Sequence, residues 1–397
     1  MTWKLISIAI SHFLRVRLKS EVRMEFSRAP VAFPAELNDL RDWALVSSAR
    51  FYRVALLIPM CGSAGLWAPS CISSAQLAVE EINRRNGIGG RQVQLIMIDS
   101  ALEAKVPVEE IVNDLIQCHA IDAIVGMHIS AIRQRLSKVV RQRVPYVYTP
   151  LYEGGENTPG IFAIGETPQE QLGPAIETLQ KQFRPKRWAL IGNDYVWPHT
   201  SHSYAKAKLK ELSVGLSYER YLPFGVRNMA HYVDEIRHSG ADALLISLVG
   251  QDAVTFNRAF GAAGLDDKMI RLSCCIEENG LLACGDRNLK RFFTSASYFG
   301  SLRTETNCAF KECYYSLHGD KAPVLNVIGQ STYEGVHFLS ALMEDKSGDW
   351  RERTASSGID VRYKSVKQSS GSRHPVARAP IYLARADGVM FEVLKQI

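Results

Sequence analysis

Two continuously apolar runs flank one amphipathic helix between Arg53 and Asp99, and no other stretch constrains the fold as tightly. Residues 54–58 show no alternation of apolar and polar groups, the pattern of a strand covered on both faces. A loop with Gly62, Ser63, Gly65 and Pro69 breaks the run, and Ser70 is placed to cap the following helix. In that helix Ala75, Ala78, Val79 and Ile82 share one face, while Glu80, Glu81, Arg84 and Arg85 face away. Asn86-Gly87 supplies a left-handed stop. Residues 93–98 then read as a second buried strand. Strand, loop, helix, strand is a right-handed βαβ unit with parallel strands. Such sheets bind ligands at the carboxyl ends of their strands, so the loop 61–70 is the first place to look for function.

The βα rhythm continues. A helix over 108–118, a strand over 123–125, a loop at 126–130, a basic helix over 131–143 and a strand over 144–148 complete a first lobe. The loop 149–160, with Pro150, Pro159 and three glycines, is the expected crossover. Second-lobe strands are expected at 188–191, 218–222, 243–248 and 269–272, with helices at 169–182, 201–212, 229–238 and 252–263. A further strand at 292–298, helices at 306–317 and 322–343 and a hairpin pairing 379–383 with 389–394 follow; residues 347–375 are polar. The expected fold is α/β, two doubly wound parallel-sheet lobes joined by a hinge. Residues 1–52 are a leader of uncertain structure, and 53–397 form one two-lobed ligand-binding module. Lobe 1 takes about 53–150 plus part of 299–346, and lobe 2 about 165–298 plus the C-terminal segment.

Composition narrows the function. The net charge of +6 is modest and its basic residues are interleaved with acidic ones, which gives no nucleic-acid signature. No apolar run reaches membrane-spanning length. Near the start, Lys4 precedes a short apolar run that His12 interrupts, and Arg15, Arg17 and Lys19 follow, so the segment reads as no export signal. The eight cysteines form no CxxC pair and suit a reducing compartment. No P-loop, nucleophile elbow, zinc-protease or dinucleotide motif is present. His199 and His202 have no third ligand nearby and read as a surface pair rather than a metal site. Cys61 lacks a basic partner in sequence and reads as a packed loop residue. No catalytic residue, metal or cofactor is expected.

Polar and aromatic groups do recur at successive strand ends: Ser63, His128 to Ser130, Tyr148 to Tyr152, Asn193 to Trp197, Gly250 to Asp252 and Cys274 to Glu277. Strand ends of two lobes facing one another make a cleft whose aromatic walls and few donors and acceptors suit a small polar molecule. Tyr195 and Trp197, in a loop between a strand and Pro198, are expected to line it, whereas Tyr146 reads as core.

The phrases LAVEEINRRNGIGGRQV (77–93), AIVGMHISAIRQ (123–134), YTPLYEGGENTPGIFAIGETPQEQ (148–171), LIGNDYVWP (190–198) and DALLISLVGQDAVTFNRAF (242–260) carry a resemblance. The chain resembles the type I periplasmic-binding-protein family, in the branch of the amide sensors of amidase and nitrile hydratase operons and of urea and short-chain amide receptors. The resemblance implies a cleft binder that closes by a hinge, with pocket positions at Ser130, Tyr148, Thr149, Tyr195, Trp197 and Gln251. His128 stands where the amide sensor has an aromatic, Trp197 where it has a tyrosine and Gln251 where it has a threonine. Glu277 resembles a cleft acid of this branch, and Ser63, His128 and Tyr152 complete the expected contacts.

The expected ligand is a small amide, urea or amino-acid-like molecule. The first expectation from the resemblance is a cytoplasmic sensor, with no DNA contact of its own, that regulates amidase or nitrile hydratase genes through a partner regulator protein. The alternative is a periplasmic solute receptor of an ABC importer, with the permease as partner. A homodimer is compatible with either.

Overall fold

The computed structural model describes residues 50–346, 348–354, 361–363, 365–367 and 379–397. Residues 1–49 of the leader and most of the polar stretch 347–375 lie outside these.

The first strand, β1 (Phe51–Ile58), is enclosed on both sides; Val54 to Ile58 have no solvent exposure. It lies in a parallel sheet with β2 (Gln92–Asp99), β3 (Ala123–Gly126), β4 (Tyr146–Tyr148) and β5 (Ile161–Ala163), in the order β2-β1-β3-β4-β5. Helix α1 (Ala68–Asn83) joins β1 to β2. It begins two residues before Ser70, because Pro69 needs no amide partner in a first turn. Ser70 is therefore not the cap. Its hydroxyl donates to the Trp67 carbonyl at 3.0 Å. After the helix, Asn86 and Gly87 have φ of 77° and 72°, and a Cβ on Gly87 would meet the Arg91 carbonyl oxygen at 1.9 Å. Helices α2 (Val108–Gln117) and α3 (Ser130–Val140) complete the crossovers of this lobe.

Strand β5 was not expected. The chain returns to the first sheet at Ile161 and crosses to the second lobe only at 164–167, not within 149–160. The second sheet has the order β12-β11-β10-β9-β8-β6-β7. Its parallel part comprises β6 (Arg187–Asn193), β7 (Gly215–Leu222), β8 (Ala243–Ser247), β9 (Ile270–Ser273) and β10 (Phe292–Ala296). The hairpin β11 (Tyr382–Asp387) and β12 (Met390–Gln396) adds antiparallel to β10, three residues later than expected at its start. Between these strands run α4 (Pro168–Phe183), α5 (Val196–Glu211), α6 (Ala230–His238), α7 (Gly250–Ala262) and the short α8 (Glu278–Cys284).

Helices α9 (Glu305–His318) and α10 (Val327–Glu344) return to the first lobe and pack on α1. Helix α10 starts at Val327 rather than Ala322, because Pro323 intervenes and the Asn326 side chain accepts the Gly329 amide at 2.8 Å. Three crossings thus connect the lobes: 164–167, 297–304 and the stretch between α10 and β11.

Candidate functional site

In sheet one, successive strands run outward in opposite directions from the pair β1 and β3; in sheet two, from β8 and β6. Ligands of doubly wound sheets sit at the carboxyl ends of such pairs. The two crevices face each other here. The 3-10 turn Ser63–Trp67, which follows β1, meets α7 and α8, while α3, which follows β3, lies beside α5. The seam after β1 is specific: Ser63 lies beside Asp252, and Trp67 lies beside Glu277.

Three of the expected residues, Ser130, Tyr148 and Tyr152, come together in lobe 1, and Tyr195 precedes α5, the helix that lies beside α3. Ser130 opens α3 and its hydroxyl lies 3.4 Å from the Tyr148 hydroxyl. Tyr148 donates to the His128 carbonyl at 2.7 Å, and its ring meets Tyr152 edge-on at 6.4 Å. From the second lobe comes Tyr195, half-buried, its ring packed on Phe224 at 5.5 Å and on Trp197 at 6.4 Å. Burial, then the neighbouring Tyr148, Cys275 and Glu153, push the Tyr195 phenol well above its usual range, so it enters the site as a neutral donor. Tyr148 is shifted upward for the same leading reason. Tyr195 is held from behind. Asn193 donates to Asp252 at 2.8 Å and accepts the Val249 amide at 2.8 Å, and Asp252 accepts the Gly225 amide at 3.1 Å, which fixes the loop carrying Phe224.

Other expected residues spend polar groups on protein partners. His128 Nε2 accepts from the Tyr146 hydroxyl at 2.9 Å, and Nδ1 faces the Ile129 carbonyl at 3.2 Å. Both ring nitrogens are thus used inside lobe 1. Burial pulls its pKa down to about 3, so it is neutral. Thr149 spends its amide and hydroxyl on the Gly126 carbonyl, and its own carbonyl accepts from Ser331. Gln251 is exposed and donates along its own helix to Thr255 at 3.3 Å. Glu277 caps α8, accepting the amides of Asn279 at 2.8 Å and Gly280 at 3.1 Å. Trp197 is buried behind Tyr195. Ser63 belongs to the seam between lobes.

Three largely buried charges lie beside these rings. The Arg133 guanidinium sits 5.3 Å from the Tyr148 ring centre and 5.6 Å from that of Tyr152, and it pairs with both Glu153 and Glu156. The visible signal was Arg133 three residues after Ser130, on the same helix face as Leu136, where a charge must find a partner.

Elsewhere, His202 corrects the surface-pair expectation. It is fully buried, while His199 is exposed, stacked at 3.8 Å on Tyr221 and hydrogen-bonded to Asp194. The exposed Cys61 thiol is pushed up to about 11 by partial burial and by Asp99 beside it, which makes it a poor nucleophile. Among the described residues no cluster of three His, Cys, Asp or Glu could hold a metal, and no helix is long and apolar enough to cross a membrane.

The architecture has close counterparts. A solute binding protein of an ABC transporter from Rhodopseudomonas palustris HaA2, in complex with p-hydroxybenzoic acid, superposes with a TM-score of 0.75. Its identity is 16%, over 87% of this chain and 97% of that one. The branched-chain amino acid transporter substrate binding protein from Streptococcus pneumoniae, in complex with isoleucine, gives 0.74 at 13% identity over 88% and 99%. The leucine-, isoleucine-, valine-, threonine- and alanine-binding protein from Brucella ovis, in its closed conformation, gives 0.69 at 15% identity over 87% and 94%. The model of the family described as Periplasmic binding protein matches residues 52–388. Two α/β lobes, facing switch points and this match over most of the length lead to one conclusion: the chain belongs to the periplasmic binding protein family.

Proposed function

We propose that this protein is a solute receptor that closes its lobes on one small polar molecule and presents it to an ABC permease. The observation that carries the reading is the packing of α3, which Ser130 opens beside Tyr148, against α5 of the other lobe, which Tyr195 precedes. A solute held by both sides stabilises the closed arrangement over the open one, which is the differential binding that a hinged receptor needs. The site's hydroxyls and aromatic faces suit an amide, urea or amino-acid-like solute. The folds of the benzoate and isoleucine receptors support the transport reading. The receptor reading places the protein in the periplasm and assigns it no reaction.

One observation favours the second reading, an intracellular amide sensor acting through a regulator protein. All eight cysteines lie in the described residues and none is in a disulfide. Unpaired thiols suit a reducing compartment. Cell fractionation separates the two readings: the receptor is recovered from the periplasm, the sensor from the cytosol. The binding claim is tested by calorimetry with leucine, urea, propionamide and 4-hydroxybenzoate. At least one binds one-to-one, and Tyr195→Ala weakens it at least tenfold. Equal affinity in the variant removes Tyr195 from the site.

A further inference from the structure

The Arg133 cluster is unevenly satisfied. One guanidinium faces two carboxylates. Glu156 has its other oxygen bonded to the Thr158 amide at 2.9 Å. Glu153 Oε1 accepts from Arg133 and, at 3.2 Å, from the Gln134 amide nitrogen. Glu153 Oε2 is buried and makes no hydrogen bond among the described residues, and neither does Arg133 Nε. The cluster thus holds one more carboxylate than guanidinium, under the rings of Tyr148 and Tyr152. A buried carboxylate oxygen without a donor is disfavoured, and a ligand N–H that reaches it relieves the deficit.

We propose that Glu153 is the residue that selects the solute by its nitrogen: Oε2 accepts from an N–H-bearing group, an amide NH2 or an ammonium. The inference rests on the cleft reading above and deepens it. Glu153 follows β4 by five residues, and its charge reaches Tyr195 of the other lobe, whose hydroxyl makes no hydrogen bond among the described residues. A donor on the solute satisfies Glu153, and an acceptor on it can take the phenol proton of Tyr195. The expected acid of this cleft, Glu277, is unsuited to the role because its two oxygens already cap α8. The uncompensated carboxylate also disfavours a solute whose only charge is negative.

The test is calorimetry on the full chain with skeleton-matched pairs: leucine against 4-methylpentanoate, and propionamide against propionate, with 4-hydroxybenzoate as a nitrogen-free aromatic. The nitrogen-bearing member of at least one pair binds about 100-fold or more tighter than its partner, because a site built around a hydrogen bond rejects the analogue that lacks it. Preference for leucine assigns an ammonium, and preference for propionamide an amide. Glu153→Gln, which keeps an acceptor for Arg133 and Gln134, weakens that binding at least tenfold while the unfolding temperature is held. If the variant does not fold, the wild-type ratios decide. Binding that survives Glu153→Gln but is lost in Tyr195→Ala overturns the role of Glu153 and leaves the cleft reading standing. Binding unchanged in both overturns both. Tighter binding of the nitrogen-free acids, or no binding by any nitrogen-bearing probe, also overturns the proposal.

Discussion

Gly250 of the second lobe lies against Ser63 of the first so closely that a Cβ on Gly250 would sit 2.0 Å from the Ser63 carbonyl oxygen. Its φ of +51° is also one that side-chain-bearing residues rarely adopt. With Ser63 beside Asp252 two residues on, this is a close contact of the seam between lobes. Gly250→Ala is therefore expected to hold the lobes apart. Apparent solute affinity falls in proportion to the closed population, by about tenfold if the closed form loses about 1.4 kcal/mol. Small-angle scattering of the variant with solute should show a larger radius of gyration than the wild type. Identical radii and affinities would show that the seam yields without opening.

The pair Glu277 and Glu278, at the entry to α8, predicts a pH dependence. Burial first, then the charge of Glu278, push the Glu277 carboxyl up to about 8, and burial pushes Glu278 up to about 7. Both values lie above the ordinary 4.5. The folded state therefore binds more protons than the unfolded state between 4.5 and about 8. The stabilising contribution is complete below 4.5 and is lost as pH rises through about 8. Glu278→Gln keeps an oxygen for the Gly300 amide and removes the like charge. Urea midpoints across that window should fall less steeply in the variant; an unchanged slope would exclude the pair as the cause.

A buried ion pair spans the hinge. Lys367, in the third crossing, donates to Glu166, in the first, at 2.7 Å, and both side chains are less than a tenth exposed. The same strap is anchored by Glu334, which accepts from the Ser365 hydroxyl and the Val366 amide, each at 2.8 Å. Lys367→Met strands the Glu166 carboxylate and is expected to destabilise the fold by about 3–5 kcal/mol in chemical denaturation. Lys367→Met with Glu166→Leu should recover much of that loss. A single variant as stable as the wild type would mean that Glu166 finds another donor.

What the amino-acid sequence made legible follows from physical periodicity. The β1–α1–β2 unit could be read because its strands are unbroken apolar runs and its helix has one apolar face. Strand β5 could not, since Ile161–Ala163 is too short to show a period. His202 was misread because its neighbours are polar, yet its position on α5 turns it inward against Gly192. Ser130, Tyr148 and Tyr195 were legible as groups at strand ends. Strand-end position does not say which way a side chain turns: Gln251 bonds along its own helix and Glu277 caps α8. Arg133 and Glu153 were missed because their pairing joins residues 20 apart in sequence, which only the folded lobe brings together.

The most direct measurement is a crystal structure of the protein with a nitrogen-bearing solute that it binds. The account predicts density between Ser130 and Tyr148 on one side and Tyr195 on the other, with the solute nitrogen within hydrogen-bonding distance of Glu153 Oε2. Density outside the cleft, or a solute whose nitrogen faces solvent and whose acid group meets Glu153, would contradict it.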